Sequence, residues 1–531
     1  MSSHQIKKAH DMLWTDHYRT KGLLKFFSKQ PESNLNDGPS YNTFQLIGLV
    51  LGPLLFLLTL LFFRPANLEM PAIFVLASTL WIATWWITEA IPIPVTSLLP
   101  LVLFPMGNVM DSGTVSSSYG NDIIFLFMGG FIIAIAMERW NLHTRIALNI
   151  INFIGTTTSR IILGFMLATG IMSMFVSNTA AVMIMVPIGL ALILEAETLS
   201  DGKNSSNIKK FEKTLLFAIG YAGTIGGLGT LIGTPPLILL AGQAKELFDI
   251  EISFAQYMLV GVPASITLLI ITWLYLHFFR FKSTMTQLPG GSRVIKTELQ
   301  KLGKITREET IVLCIFLLAA FLWIVRGFFF QNFEALQLVK DGTIAMFISI
   351  LFFIIPTRKK PGRILDWSVV KDIPWGVLLL FGGGLALASG ISESGLDVWL
   401  SEQLKNLNGM NIVLIIIVIT LFVLFLTEIT SNTATATMIL PLLGALSVAI
   451  DVHPLAVMLP AAMAANCAFM LPVGTPPNAI IFGTDKLTIQ DMAKTGFLLN
   501  LIACVLIILI VLFWFPIVFG LELTPFPESL K

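Results

Sequence analysis

The chain has 531 residues, of which 55% are hydrophobic and 12% charged, with a mean hydropathy of +0.83. Soluble domains carry about 25% charged residues, so this composition excludes an ordinary soluble protein and implies a multi-pass, all-α membrane protein. The net charge of +1 gives no basis for a nucleic-acid partner, and the three cysteines fall in apolar spans without metal-ligand spacing, which reads as buried small hydrophobes.

Residues 1–44 are polar, without a signal-peptide core, and read as a cytoplasmic arm. Apolar spans follow near 45–63, 71–90, 92–106, 121–137, 161–199, 214–242, 255–279, 310–330, 342–356, 374–390, 411–449, 454–484 and 495–520. Two amphipathic stretches, 138–160 and 391–409, read as interfacial helices, either as arms joining a moving part to a fixed one or as passive surface helices.

Loop charges orient the spans by the positive-inside rule. Loop 107–120 has no Lys or Arg. Loop 200–213 carries Lys203, Lys209, Lys210 and Lys213, loop 281–309 carries six basic residues, and loop 357–373 includes Arg358, Lys359, Lys360, Arg363 and Lys371. Alternation then requires 161–199 to be a hairpin open to the cytoplasm and 411–449 a hairpin open to the outside, with the N-terminus cytoplasmic and the C-terminus external. The Asn204-Ser205-Ser206 sequon falls on the cytoplasmic side, where it would not be glycosylated.

The chain repeats itself. Ser177-Asn178-Thr179 and Ser431-Asn432-Thr433 are 254 residues apart, and the same offset pairs Gly129 with Gly383, Gly130 with Gly384, Leu142 with Leu396, Ser173 with Thr427 and Pro187 with Pro441. A Gly-Thr-Pro-Pro follows each motif, at 233–236 and at 474–477, where the offset shrinks to 241. The organisation predicted is an arm (1–44), an extra helix (45–70), a first repeat (71–280), a cytoplasmic linker (281–309), a second, inverted repeat (310–520) and an external tail (521–531).

Broken helices at membrane depth must line a cavity or pack on protein, because bare backbone polar groups are not tolerated in hydrocarbon. Breaking a helix frees carbonyls at one new end and amides at the other. Carbonyls with hydroxyl and amide oxygens suit a hard cation such as Na⁺, and amides with hydroxyl donors suit a carboxylate. The offset predicts one cation site at Ser173, Ser177, Asn178 and Gly233, and a second at Thr427, Ser431, Asn432 and Gly474. The spacing of 173 and 177, like that of 427 and 431, places both hydroxyls one helical turn apart on a shared face. An organic dianion would lie between the tips, touching Asn178, Thr179, Thr234 and Pro235 from one half and Asn432, Thr433, Thr475 and Pro476 from the other.

Small polar residues and glycine also pack transmembrane helices, but two motifs at matched offset, each followed by the same break, favour a site. Glu89 reads as an interfacial carboxylate or cap rather than an ion ligand, and Glu428 as a residue that positions the outer hairpin or is purely structural. His143 and His453 fall at span edges and read as solvated.

The paired SNT motifs, the GTPP segments and the run Trp85-Trp86-Ile87-Thr88-Glu89-Ala90-Ile91-Pro92 resemble the divalent anion:sodium symporter family, and within it the bacterial sodium-dependent dicarboxylate transporters, over about residues 45–520. The resemblance implies eleven transmembrane helices, two re-entrant hairpins, a homodimer in the cell membrane and an elevator movement. It implies that succinate, fumarate or malate moves with Na⁺ as coupling ion and without a cofactor. The two sodium sites and the substrate contacts it implies fall on the residues named above. Other readings are a sodium-independent dicarboxylate exchanger, a citrate or sulfate carrier on the same fold, and, from another class, an intramembrane enzyme or anion channel. An enzyme would want a His, Cys or acid cluster at membrane depth, which the sequence does not offer. A channel would not need mirrored hairpins.

Overall fold

A computed structural model describes residues 41–530 apart from 156, 201–204, 283–284, 331–332 and 359–361. Nearly all of the N-terminal arm, Asn204 of the sequon, and Lys203, Lys359 and Lys360 therefore lie outside the described residues. Among the described residues the regular structure is helical, with isolated bridges only at Thr157–Gln287 and Pro356–Arg363.

Local signals start the helices. Capping boxes pair Asn42 with Gln45, Ser253 with Gln256, Thr306 with Glu309 and Thr488 with Asp491, each satisfying amide groups that the first helical turn leaves open. Nine helices among the described residues are long and apolar enough to cross a membrane, and four shorter apolar ones accompany them: Ile93–Met106, Thr158–Ser173, Asp341–Ile354 and Pro454–Ala465. The N-terminal helix Thr43–Phe62 is peripheral, with 11% of its apolar window buried, whereas Trp375–Glu393 runs through the centre with 72% buried.

The two halves correspond element by element. Asp122–Arg139 matches Trp375–Glu393, and the interfacial helix Leu142–Ile154 matches Leu396–Leu404. Thr158–Ser173 and Asn178–Leu199 match Ile412–Leu426 and Asn432–Ala449, so each SNT motif sits at a break between two helices. The second arm meets its helix at a break bent by 118°. Ser205–Gly226 and Pro235–Phe248 match the shorter Pro454–Ala465 and Pro476–Phe482. Phe254–Leu274 and Ile489–Leu509 each run on into a π-turn, Tyr275–Arg280 and Ile510–Trp514.

Polar helix ends gather in two sets. One holds the ion pairs Arg139–Asp366 (2.6 Å), Arg145–Glu309 (3.1 Å), Lys213–Asp491 (2.7 Å), Lys486–Glu212 (2.8 Å) and Arg293–Glu195 (3.9 Å). The other holds Arg326–Asp341 (3.3 Å), Lys340–Glu251 (2.8 Å), and Asp122, whose Oδ2 accepts from the Gly342 amide at 3.3 Å. Helix Asp122–Arg139 runs from the second set to the first; its 18 residues span about 27 Å at 1.5 Å each. Helices Thr158–Ser173 and Asn178–Leu199 both reach the first set: Thr158 N donates to Thr286 O at 3.1 Å and Glu195 meets Arg293. Helix Asn432–Ala449 ends on the side of the second set. Ser401 Oγ donates to Ala445 O at 3.1 Å, Phe526 N donates to Asp451 Oδ1 at 3.3 Å, and Phe526 packs on Phe248.

Three sequence expectations are corrected. His143 and His453 are buried, 3% and 2% exposed, not solvated. His143 Nδ1 faces the Met137 carbonyl at 2.9 Å, and His453 caps the next helix by accepting from Leu455 N at 3.2 Å. A neutral imidazole tolerates burial when its ring nitrogens find partners. Cys314 is exposed on the flank of helix Arg307–Phe328, while Cys467 and Cys504 are buried as expected. The hydroxyls of Ser173 and Ser177 do not share a helical turn, because the first helix ends at Ser173 and the chain turns before Ser177 caps the next.

Candidate substrate and cation site

At the first tip, the buried Ser173 hydroxyl donates to the Gly223 carbonyl at 2.5 Å. Gly223 lies in the last turn of Ser205–Gly226, where carbonyls have lost their helical partners. Ser173 Oγ also lies 2.6 Å from the Asn178 amide. A hydroxyl has one proton, so Asn178 must present its nitrogen here. In that orientation the two N–H groups of Nδ2 face three acceptors within reach, Ser173 Oγ (2.6 Å), Gly223 O (3.1 Å) and Gly233 O (3.2 Å). Four side-chain and backbone groups therefore converge on one point. Gly227 permits the approach, since a Cβ there would lie 2.7 Å from the Asn178 side-chain amide.

The second tip repeats this geometry. Thr427 Oγ1 donates to Ala465 O at 2.8 Å, at the end of Pro454–Ala465. With its amide turned in the same way, the two N–H groups of Asn432 face Thr427 Oγ1 (2.7 Å), Ala465 O (3.2 Å) and Gly474 O (3.2 Å). The breaks match too: Thr234 has φ −149° and ψ 139°, and Thr475 has φ −153° and ψ 144°. Both lead into a Pro-Pro helix start, where the missing proline amides cost nothing.

The structure thus brings together Ser173, Asn178 and Gly233, and separately Thr427, Asn432 and Gly474. It adds the carbonyls of Gly223 and Ala465, which the sequence reading did not name. Ser177 and Ser431 stand at the helix starts beside them. Ser177 Oγ accepts from Ala180 N at 3.2 Å, and Ser431 makes no side-chain cap. Thr179, Pro235 and Thr433 are partly exposed at the tips, and Pro476 is exposed, whereas Thr234 and Thr475 are buried. Thr234 Oγ1 donates to Asn466 Oδ1 at 2.7 Å.

Glu428 sits behind the second cluster, 3% exposed, and accepts from the amides of Phe469, Met470 and Leu471 and from Asn500 Nδ2. It shapes the break rather than facing the cluster as a ligand. Glu89 ends its helix in a left-handed turn (φ 47°), its carbonyl accepting from Gln45 Nε2 at 3.2 Å. Both fit the structural side of the sequence reading.

The family model described as the transmembrane region of sodium:sulfate symporters matches residues 44–521. The chain belongs to this family, the divalent anion:sodium symporters. Among its relatives within this symporter family, the sodium-dependent dicarboxylate transporter SdcS of Staphylococcus aureus strain MRSA252 is 63% identical over 512 residues, covering 96% of this chain and 98% of SdcS; SdcS of strain USA300 matches equally. Two solved transporters share the fold at low identity. The YdaH transporter of Alcanivorax borkumensis has a TM-score of 0.52 at 12% identity, covering 86% of this symporter and all of YdaH. MtrF of Neisseria gonorrhoeae has 0.53 at 11%, covering 87% and 97%.

Proposed function

We propose that this chain is a multi-pass symporter that carries C4-dicarboxylates such as succinate, fumarate and malate with Na⁺, and is not an enzyme. The observation that carries the reading is the pair of mirrored clusters. Each gathers one hydroxyl, one asparagine amide and two backbone carbonyls at a helix break. Rotating Asn178 and Asn432 to present Oδ1 turns each cluster into a set of neutral oxygens, the donor type a hard monovalent cation takes. The relatives named as sodium-dependent dicarboxylate transporters support the same ion and substrate class.

Two bound cations offset the charge of a dianion held between Asn178, Thr179, Thr234 and Pro235 and their counterparts Asn432, Thr433, Thr475 and Pro476. Helices Thr158–Ser173 and Ile412–Leu426, with 16 and 15 residues, reach about 24 and 22 Å. That falls short of a bilayer core of about 30 Å, which supports re-entrant hairpins with tips at membrane depth. The polar set holding Arg139, Arg145, Lys213 and Arg293 is the basic one, so the positive-inside rule puts it in the cytoplasm, with the C-terminus outside. Two inverted repeats around one site support an elevator movement, with the arms Leu142–Ile154 and Leu396–Leu404 linking the tips to a dimeric scaffold.

Uptake of labelled succinate into proteoliposomes tests the proposal. An inward Na⁺ gradient should drive accumulation that choline does not replace. Equal uptake in both would exclude symport and favour exchange.

A further inference from the structure

The two clusters are joined by one side chain. Asn466 is fully buried and closes helix Pro454–Ala465. Its Nδ2 donates to Thr224 O at 2.7 Å, and its Oδ1 accepts from Thr234 Oγ1 at 2.7 Å. Thr224 follows Gly223 and Thr234 follows Gly233, so Asn466 holds the backbone carbonyl of one and the side-chain hydroxyl of the other, each on the residue next to a carbonyl of the first cluster. Asn466 itself follows Ala465, whose carbonyl belongs to the second.

Thr224 and Asn466 are also repeat counterparts. Gly223 O accepts from Ser173 as Ala465 O accepts from Thr427, so the residues that follow these two carbonyls correspond. When two counterparts in a pseudo-two-fold structure bond to each other, they straddle its axis. The axis contact is asymmetric: an amide on one side can donate and accept at once, whereas the Thr224 hydroxyl is buried without a hydrogen-bond partner.

We propose that Asn466 is a positioning residue that couples occupancy of the two cation sites. This rests on the cation-site reading above. A cation that draws in the Gly223 and Gly233 carbonyls fixes Thr224 and Thr234. Those fix the Asn466 amide, and with it the Ala465 carbonyl offered to the second cation. The route runs equally in reverse, as linkage requires. It passes through the buried side chains of Thr224, Thr234 and Asn466, where a lost hydrogen bond is costly.

The test is Na⁺ titration of the purified, dicarboxylate-free protein by calorimetry. Wild-type protein should bind Na⁺ with positive cooperativity. Asn466→Ala should lower the Hill coefficient to about 1 and raise the midpoint by about fivefold, the low end of typical site coupling. The halves stay joined by other contacts, including Tyr221 to the Phe469 carbonyl at 3.0 Å. A second pair of variants decides the matter if Asn466→Ala does not fold: Thr234→Val should lose cooperativity and Thr234→Ser should keep it, a rescue that general loosening does not predict. Wild-type cooperativity in Asn466→Ala or in Thr234→Val, or non-cooperative binding by the wild type, overturns the proposal. Na⁺ binding unaffected by Ser173→Ala and Thr427→Ala would instead overturn the cation sites themselves.

Discussion

Glu428 Oε1 accepts from the Phe469 amide at 2.8 Å, tying the second tip to the break that supplies Gly474. The same carboxylate takes the amides of Met470 (2.9 Å) and Leu471 (3.0 Å). The repeat counterpart of Glu428 is Met174, so only one half is built this way. Where the first break winds through the short 3₁₀ turns Gly227–Gly229 and Leu231–Gly233, the second stays irregular and needs a side-chain acceptor for its amides.

Glu428→Ala should therefore lower the thermal midpoint of the detergent-solubilised protein and weaken Na⁺ binding. Each buried amide left without an acceptor costs about 1–3 kcal/mol. Glu428→Gln keeps one carbonyl oxygen and should lose less. An unchanged midpoint in Glu428→Ala would show that the carboxylate does not hold the break.

The hydroxyls of Ser173 and Thr427 should set the Na⁺ requirement. Ser173→Ala and Thr427→Ala each remove a proposed cation ligand whose hydroxyl donates to a backbone carbonyl. Half-maximal uptake should need about tenfold more Na⁺, as expected for losing about 1.4 kcal/mol of binding. Thr427→Ser should stay close to wild type, because it keeps the hydroxyl. Unaltered Na⁺ dependence in both alanine variants would remove these residues from the sites.

Orientation is open to cysteine labelling. Cys314 is the exposed native thiol, so the background carries Cys314→Ala. Ser116→Cys, exposed on the short helix Ser112–Tyr119 that the structure forms within the expected loop 107–120, should react with an impermeant maleimide on intact cells. Lys296→Cys, exposed on helix Gly291–Leu302, should react only after permeabilisation. Equal labelling of both would refute the inverted topology.

Burial holds the His143 imidazole below its usual range, against the opposing pull of the Met137 carbonyl and Glu138. A depressed histidine favours the folded state when neutral. That stability is full above the unfolded value of about 6.5 and is lost as pH falls below it, because the unfolded chain then binds the proton more readily. The thermal midpoint should drop between pH 7.5 and 5.5, and His143→Gln should reduce the drop. An identical pH dependence in the variant would assign the effect elsewhere.

The architecture was legible because duplication wrote it twice. Two SNT motifs and two GTPP segments gave the repeats, the breaks and four of the converging positions, and the repeat offset added Ser173 and Thr427. The carbonyls of Gly223 and Ala465 were not legible, since a backbone oxygen leaves no mark on residue identity. Asn466 was hidden for a related reason: its counterpart is a threonine, so the repeat offset does not flag it. The helical-turn argument for Ser173 and Ser177 failed because it continued a helix through a chain reversal. The two histidines were misplaced because span edges in sequence do not reveal which side of a helix end is packed on its neighbours.

The tips should grip one dianion only after Na⁺ has loaded. Asn178, Thr179, Asn432 and Thr433 are neutral, so the carboxylates of succinate meet no fixed cation in these motifs. In the orientation that satisfies their hydrogen bonds, the amides of Asn178 and Asn432 are engaged with carbonyls. Na⁺ that takes over those carbonyls should turn the amide oxygen inward and leave the amide N–H groups facing the cavity, ready for a carboxylate. Na⁺ should therefore tighten succinate, and succinate should tighten Na⁺ by the same factor. Thr179→Val and Thr433→Val should weaken succinate binding while leaving substrate-free Na⁺ binding close to wild type, since neither hydroxyl belongs to a cation cluster. Calorimetry on the purified protein measures both affinities. Succinate affinity that is the same in Na⁺ and choline buffers would exclude this coupling and point to a sodium-independent exchanger on the same fold.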